Sequence, residues 1–217
     1  MLLKQVLIFL LSIIYPQCCL LCGKISKEIC CKSCRKDINF KIETNISKDF
    51  YFDKHIYFFQ YEDEIRNLIL NYKFKDKSYL YKFFSEIIIK NKKICRILKS
   101  YDIIIPVPIH KKRKSERGYN QSELIARDLA EKIQDIKLEN KVVIKKNNTK
   151  KQSELSKEER KKNVIDAYEI INSEKIKDKS IVLFDDIYTT GSTVNEISKI
   201  LKRSGAKKIL VVTIAKD

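Results

Sequence analysis

Two aspartates, Asp185 and Asp186, stand side by side after the apolar run 181–184 and ahead of Thr189, Thr190, Gly191, Ser192 and Thr193. The apolar run reads as a buried strand, and the segment that opens at residue 192 reads as a helix. A strand, a short loop and a helix start aim backbone N–H groups at one point, where the helix dipole also favours an anion. Gly191 lets a ligand approach the backbone, and the neighbouring hydroxyls add donors. The loop is therefore suited to a phosphate. Carboxylates beside a bound phosphate accept hydrogen bonds from sugar hydroxyls and stabilise a cationic sugar carbon. A phosphate next to a vicinal diol is ribose 5-phosphate. The competing reading is that the acids only end a strand and cap a turn; the ordered run of residues 181–194 favours the site. With glycines only at 23, 118, 191 and 205, neither a Walker A loop nor a dinucleotide fingerprint can be built.

A second constellation is Cys19-x2-Cys22 with Cys31-x2-Cys34. Four thiolates at that spacing can surround one tetrahedral zinc, which supplies folding energy that so short a segment lacks. Four cysteines leave no open position, so the site reads as structural; a redox dithiol is the alternative. The doublets Cys18-Cys19 and Cys30-Cys31 leave the register open. Seven cysteines, six of them between 18 and 34, argue against a secreted disulfide framework. The two histidines, His55 and His110, offer no Ser-His-Asp or Cys-His arrangement.

Charge is the third signal. A formal net charge of +17 attracts nucleic acid, anionic lipid or a polyphosphate. Only 8 of the 45 basic residues are arginine, so lysines filling the surface account for it equally well, and local clusters carry more information than the sum. The opening "MLLKQVLIFLLSIIYP" has no small-x-small cleavage site and is short for a span of about 20 apolar residues. It reads as a packing or partner-binding helix; an interfacial membrane helix and a cleaved signal are the alternatives.

The elements that must position these residues can be read from the hydrophobic pattern. A strand is expected at 55–60. Helices are expected at 63–72, where Ile65, Leu68, Ile69 and Tyr72 form one apolar face, and at 78–90. From residue 101 strands and helices alternate: "YDIIIPVP", a basic loop, a helix over about 119–134, "KVVIK", a polar loop, "SIVLFDD", a helix over 192–204 and "KKILVVTIA". Ser156 and Glu159 suit a helix start in the polar loop. Continuous apolar strands alternating with helices predict an α/β fold, a parallel sheet covered on both faces. Ligands of such sheets sit beyond the carboxyl ends of the strands.

The stretch "VLFDDIYTTGST" resembles the phosphoribosyl-pyrophosphate (PRPP) signature of type I phosphoribosyltransferases. In that family the acids contact ribose hydroxyls and the loop binds the 5′-phosphate. The resemblance assigns Asp185 and Asp186 to ribose and catalysis, and Thr189, Thr190, Gly191, Ser192 and Thr193 to phosphate. Tyr188 departs from the usual small aliphatic residue and resembles the variant of one branch, the ComF family. "YDIIIPVPIHKKRKSERGYNQSELIARDLA", "TKKQSELSKEERKKNVIDAY" and "YEDEIRNLILNYKFKDKSYL" are similar to further blocks of that branch, so the resemblance spans about residues 15–215.

It implies a zinc-ribbon-like module at 1–45, with Cys19, Cys22, Cys31 and Cys34 as ligands. A Rossmann-like, type I phosphoribosyltransferase-like domain would follow at 46–217. Mg²⁺ would accompany PRPP. Pyrophosphate would meet Lys73 and the basic loop with Lys112, Arg113, Arg117 and Asn120, and a flap over 149–160 would carry Gln152 and Arg160. The family is associated with DNA uptake in natural transformation. The implied partners are PRPP, single-stranded DNA and competence-machinery proteins, in the cytoplasm or at the inner face of the membrane. Two functions stay open: a PRPP-binding protein that transfers the pentosyl group, and a non-catalytic DNA-handling protein that keeps the PRPP-binding fold. No segment reads as an acceptor pocket.

Overall fold

The computed structural model of the chain describes residues 16–38, 40–44, 46–146 and 164–217. The expected N-terminal helix, the flap with Gln152 and Arg160, and the helix start at Ser156 lie outside these residues. Two compact units are present, Met1–Asn39 and Phe40–Asp217. In the first, a turn at residues 19–24 leads into α1 (Lys32–Asp37), whose first turn is capped by the Cys31 sulfur accepting from Cys34 N–H.

The second unit is a sheet with helices on both faces. Among the described residues the sheet has six strands in the order β1-β2-β8-β7-β3-β4. They are β1 (Lys41–Glu43), β2 (Lys54–Gln60), β3 (Ile103–Pro106), β4 (Lys137–Leu138), β7 (Ser180–Tyr188) and β8 (Lys208–Lys216). All neighbours run parallel except β1 on β2. The central strands β3, β7 and β8 carry the apolar runs 103–105, 181–184 and 209–212, because both of their faces are buried there. On one face Ile181, Leu183, Ile209 and Val211 pack under α7 (Ser192–Arg203) through Val194, Ile197 and Leu201. On the other, α2 (Asp63–Phe74), α3 (Tyr81–Lys90), α4 (Lys92–Leu98) and α6 (Gln121–Lys132) bury one apolar face each. Each such buried Leu, Ile or Phe contributes about 1.5–3 kcal/mol.

Two expectations are corrected. "KVVIK" does not join the main sheet: β5 (Val143–Lys145) pairs antiparallel with β6 (Tyr168–Ile170) in a separate hairpin. The two residues Lys137–Leu138 take the place beside β3 instead. The basic segment after "PVP" is a helix, α5 (Lys111–Arg117), rather than a loop. His110 Nδ1 accepts from Lys112 N–H at 3.3 Å as its N-cap, and Gly118, at φ 78°, closes it.

His55 joins three strands. Its ring is wholly buried, with Nδ1 3.1 Å from Glu43 Oε2 and Nε2 2.9 Å from Thr213 Oγ1. Burial pushes its pKa down to about 4 against the pull of Glu43. A depressed histidine stabilises the fold above its unfolded value near 6.5 and loses that contribution as pH falls towards 4. Urea unfolding is expected to show a loss on the order of 2 kcal/mol between pH 6.5 and pH 4 in the wild type beyond that of His55→Gln. Equal slopes in the two proteins would contradict a neutral buried ring.

Candidate functional site

The connections after β3 and β7 diverge. β3 leads through α5 and α6 outward to β4, and β7 leads through α7 to β8 on the other side. The gap between β3 and β7 is the topological switch point, where open α/β sheets bind ligands. β3 stops at Pro106, opposite Phe184, while β7 continues to Tyr188. Asp185 and Asp186 therefore stand at the rim beside β3, although β7 still pairs with β8 there, Asp185 opposite Thr213.

Adjacent strand residues point to opposite faces, and the two acids have different partners accordingly. Asp186, nearly buried, forms an ion pair with Lys73 from the last turn of α2, Nζ to Oδ2 at 2.8 Å. Asp185 Oδ1 accepts from the Ser122 hydroxyl at 3.2 Å and from the Asp186 N–H at 2.9 Å. Withdrawal from water, then repulsion from Asp186, pushes Asp185 up to about 7, with Lys73 and the two hydrogen bonds opposing.

The phosphate-loop residues lie together at the start of α7. Gly191 is the N-cap at φ 72°, a conformation that glycine takes without strain. Thr190 Oγ1 is 2.7 Å from Ser192 Oγ and accepts from Ser192 N–H at 3.3 Å. No acid lies in the first turn of α7, and no side chain of the N-cap closes it. Beside it lies a small hollow of about 10 Å³ lined by Asp185, Thr189, Gly191, Ser192 and Thr193, at the end of the helix whose dipole favours an anion. Tyr188 explains the tightness. A Cβ on Gly191 would lie 2.3 Å from the Tyr188 hydroxyl. The Tyr188 ring is fixed by stacking on His55, centroids 4.3 Å apart, and by Phe52 edge-on. It also walls a second, open hollow of about 430 Å³ with Glu43, Phe50 and Lys216.

The other residues singled out in the sequence divide into two groups. Arg117 turns inward: Nη1 donates to Gln121 Oε1 at 2.8 Å, and the guanidinium lies 4.9 Å over the Phe74 ring. Burial lowers its pKa, while the charge of Asp186 opposes that. Arg113 is half-buried, and its charge bears on Arg117. Lys112 is exposed on the outer side of α5. Asn120 is the N-cap of α6: Oδ1 accepts from Ser122 N–H at 3.1 Å, and Nδ2 donates to Val107 O at 3.0 Å. Both ends of its amide hold the backbone that carries Ser122 to Asp185.

Three residues at this rim were not singled out for it. Gln121 is fully buried, and its Nε2 has no partner among the described residues. Tyr168, also buried, is hydrogen-bonded to Thr193 and feels the charge of Asp185. Lys145 stands opposite Tyr168 in the hairpin. Strand alternation was the available signal for Lys145, because it shares a face with the buried Val143.

In the first unit, the sulfurs of Cys19, Cys22, Cys31 and Cys34 all lie within 4.8 Å of one another. Cys22 and Cys31 are 3.9 Å apart, close to the roughly 3.8 Å edge of a tetrahedron with Zn–S bonds of about 2.3 Å. The donor set fits a structural zinc. Cys18 Sγ instead points to Pro16 O and Cys30 Sγ to Cys31 O, outside the cluster.

Comparisons with known proteins agree with this geometry. A profile of the phosphoribosyl transferase domain matches residues 120–217, which hold α6, the hairpin, the acids and the phosphate loop. Competence protein F of Haemophilus influenzae is 28% identical over 207 residues, 90% of each chain. Competence protein ComFC of Streptococcus pneumoniae is 26% identical over 75% of this chain and 68% of that one. The DNA utilization protein YhgH of Escherichia coli K12 is 34% identical over 110 residues, about half of each chain. The fold and the matched domain define a phosphoribosyltransferase-fold protein. Within that class the chain is similar to the two competence proteins over three quarters or more of its length. No helix among the described residues is long and apolar enough to cross a membrane.

Two substitutions probe the rim. Asp185→Asn keeps an acceptor and removes a carboxyl whose pKa is raised, so the native carboxylate costs stability as pH rises from 4 to 7. The variant is expected to be more stable than wild type at pH 8 by on the order of 1–2 kcal/mol, the gain vanishing towards pH 4, as chemical denaturation will measure. Gly191→Ala meets both the positive φ and the Tyr188 hydroxyl and is expected to cost about 1–3 kcal/mol in the same assay.

Proposed function

We propose that this chain binds Mg-PRPP at the rim between β3 and β7. The 5′-phosphate lies on residues 189–193, the ribose hydroxyls on Asp185 and Asp186, and the pyrophosphate towards Lys73, Arg113 and Arg117. The observation that carries this reading is the meeting of an acid-free helix start, ringed by the hydroxyls of Thr190 and Ser192, with two carboxylates at the switch point of the sheet. A phosphate joined to a diol satisfies both halves at once. Mg²⁺, where bound, would neutralise pyrophosphate and ease its departure. The protein's own part is to hold the anion with amides and cations and to place negative charge beside a sugar carbon that becomes cationic if the pentosyl group is transferred. One zinc on Cys19, Cys22, Cys31 and Cys34 would hold the first unit together.

The relatives' names connect the family to competence and DNA utilization, and we extend that role to this chain: a part in DNA uptake. Lys111, Lys112 and Lys114 are exposed on α5, and they favour a second reading in which single-stranded DNA, with or without competence-machinery proteins, runs along that helix. A cytoplasmic position at the inner membrane face follows from the same role.

Isothermal calorimetry with Mg-PRPP tests the first reading. Wild type is expected to bind, and Asp185→Asn with Asp186→Asn to bind at least about tenfold more weakly. Equal, magnesium-independent affinities would overturn it. Fluorescence titration with single-stranded oligonucleotides tests the second. Affinity is expected to fall steeply with salt and to weaken in a Lys111/Lys112/Lys114→Gln variant; no binding at low salt rejects it.

A further inference from the structure

Lys145 is a cation held against an aromatic ring. It ends β5, directly opposite Tyr168, and its ammonium lies 5.2 Å from the centroid of the Tyr168 ring. Among the described residues it makes no salt bridge, whereas the next residue, Lys146, pairs with Glu169 at 3.4 Å on the outer side of the hairpin. A half-buried ammonium that faces an aromatic ring instead of an acid is costly to keep unless an anion completes it.

Its surroundings say where that anion would lie. Tyr168 is nearly buried and is hydrogen-bonded to Thr193, so the hairpin is anchored to the phosphate loop. The charges that bear on Lys145 are Arg113, from the segment after β3, and Asp185. Asp185 shares a sheet face with Ile181 and Leu183, and the hairpin residues Val143 and Tyr168 pack in the same core cluster. Lys73 approaches through Asp186, on the other face. Burial and the like charge of Arg113 bring the Lys145 pKa down to about 8, with Asp185 opposing.

We propose that Lys145 is a direct ligand of the pyrophosphate group of PRPP, reaching it from the hairpin across Asp185 while Arg113 reaches it from α5. The assignment rests on the PRPP reading above. Two phosphate sources share this chemistry; the PRPP reading places Arg113 on pyrophosphate, and Lys145, under the charge of Arg113, is assigned to the same group. Two cations whose charges bear on one another, with the Asp185 carboxylate also acting on Lys145, match an anion that carries several charges.

The test is calorimetry of the full chain with three probes: Mg-PRPP, magnesium pyrophosphate and ribose 5-phosphate. Lys145→Met is expected to weaken pyrophosphate and PRPP about tenfold while ribose 5-phosphate stays within about twofold. Lys145→Arg is expected to keep the affinity. Between pH 7 and 9 the wild-type affinity for pyrophosphate should fall as the lysine loses its proton, and Lys145→Arg should lose less. Asp185, raised to about 7 by burial, and Tyr168, raised by burial, face the side chain at 145 in both proteins, together with the charge of Arg113, so the comparison isolates residue 145. If Lys145→Met does not fold, the pH comparison of wild type with Lys145→Arg decides alone. Unchanged pyrophosphate affinity in Lys145→Met, or identical pH profiles, overturns the assignment and leaves the PRPP reading standing. Loss of ribose 5-phosphate affinity instead gives the lysine to the 5′-phosphate and also overturns it. A wild type that binds none of the three probes overturns the PRPP reading and the assignment with it.

Discussion

Two carboxylates on consecutive residues of a strand covered on both faces must both be compensated at one rim. Pleating gives Asp185 and Asp186 different hydrogen-bonding partners, and partial burial makes an uncompensated charge expensive. Lys73 pairs with Asp186 and its charge also bears on Asp185. α2 ends at the rim so that Lys73 reaches Asp186 at 2.8 Å. On the other side Asp185 receives hydrogen bonds from Ser122 and from its own neighbour's amide, under the charges of Lys73 and Lys145. Much of the second unit can be understood as the means of delivering these groups: the cap Asn120 holds Ser122 in place, and Tyr168 ties the hairpin to the phosphate loop.

The charge distribution follows from the same constraint. Cations that turn inward, Lys73, Lys145 and Arg117, are partly desolvated and sit against acids or aromatic rings. The outward lysines of α5 are exposed, Lys114 pairing with Glu123 at 2.9 Å, and Lys111 and Lys112 add to the long-range positive field. The phosphate loop adds positive potential without a charged side chain, through the open first turn of α7. Tyr188 is the structural cost of that loop: its hydroxyl fills the space beside Gly191, so residue 191 must be glycine for steric as well as conformational reasons.

What could be read from the sequence was whatever local pattern determines. The parallel core strands, the helix that follows Gly191 and the cysteine cluster were legible because apolar runs, a glycine turn and thiol spacing are local signals. The doublets left the cysteine register open; in the fold Cys18 and Cys30 point away from the four clustered sulfurs. "KKRKSER" was misread as a loop because its high charge masked a capped helix, with His110 at its start and Gly118 at its end. "KVVIK" was misread as part of the main sheet because strand propensity does not reveal a partner, and its partner Tyr168–Ile170 lies more than twenty residues on. Lys145 escaped notice for the same reason: its place beside Asp185 depends on that pairing. Asn120, which the resemblance places near pyrophosphate, has a second role that the sequence did not show: its amide holds backbone at both ends.

A crystal structure of the chain soaked with Mg-PRPP tests the central claim most directly. The account predicts the 5′-phosphate on the amides of residues 190–193, ribose hydroxyls within hydrogen-bond distance of Asp185 and Asp186, and pyrophosphate on the side of Arg113 and Lys145. PRPP bound along the exposed face of α5, or an empty rim at saturating ligand, would contradict it.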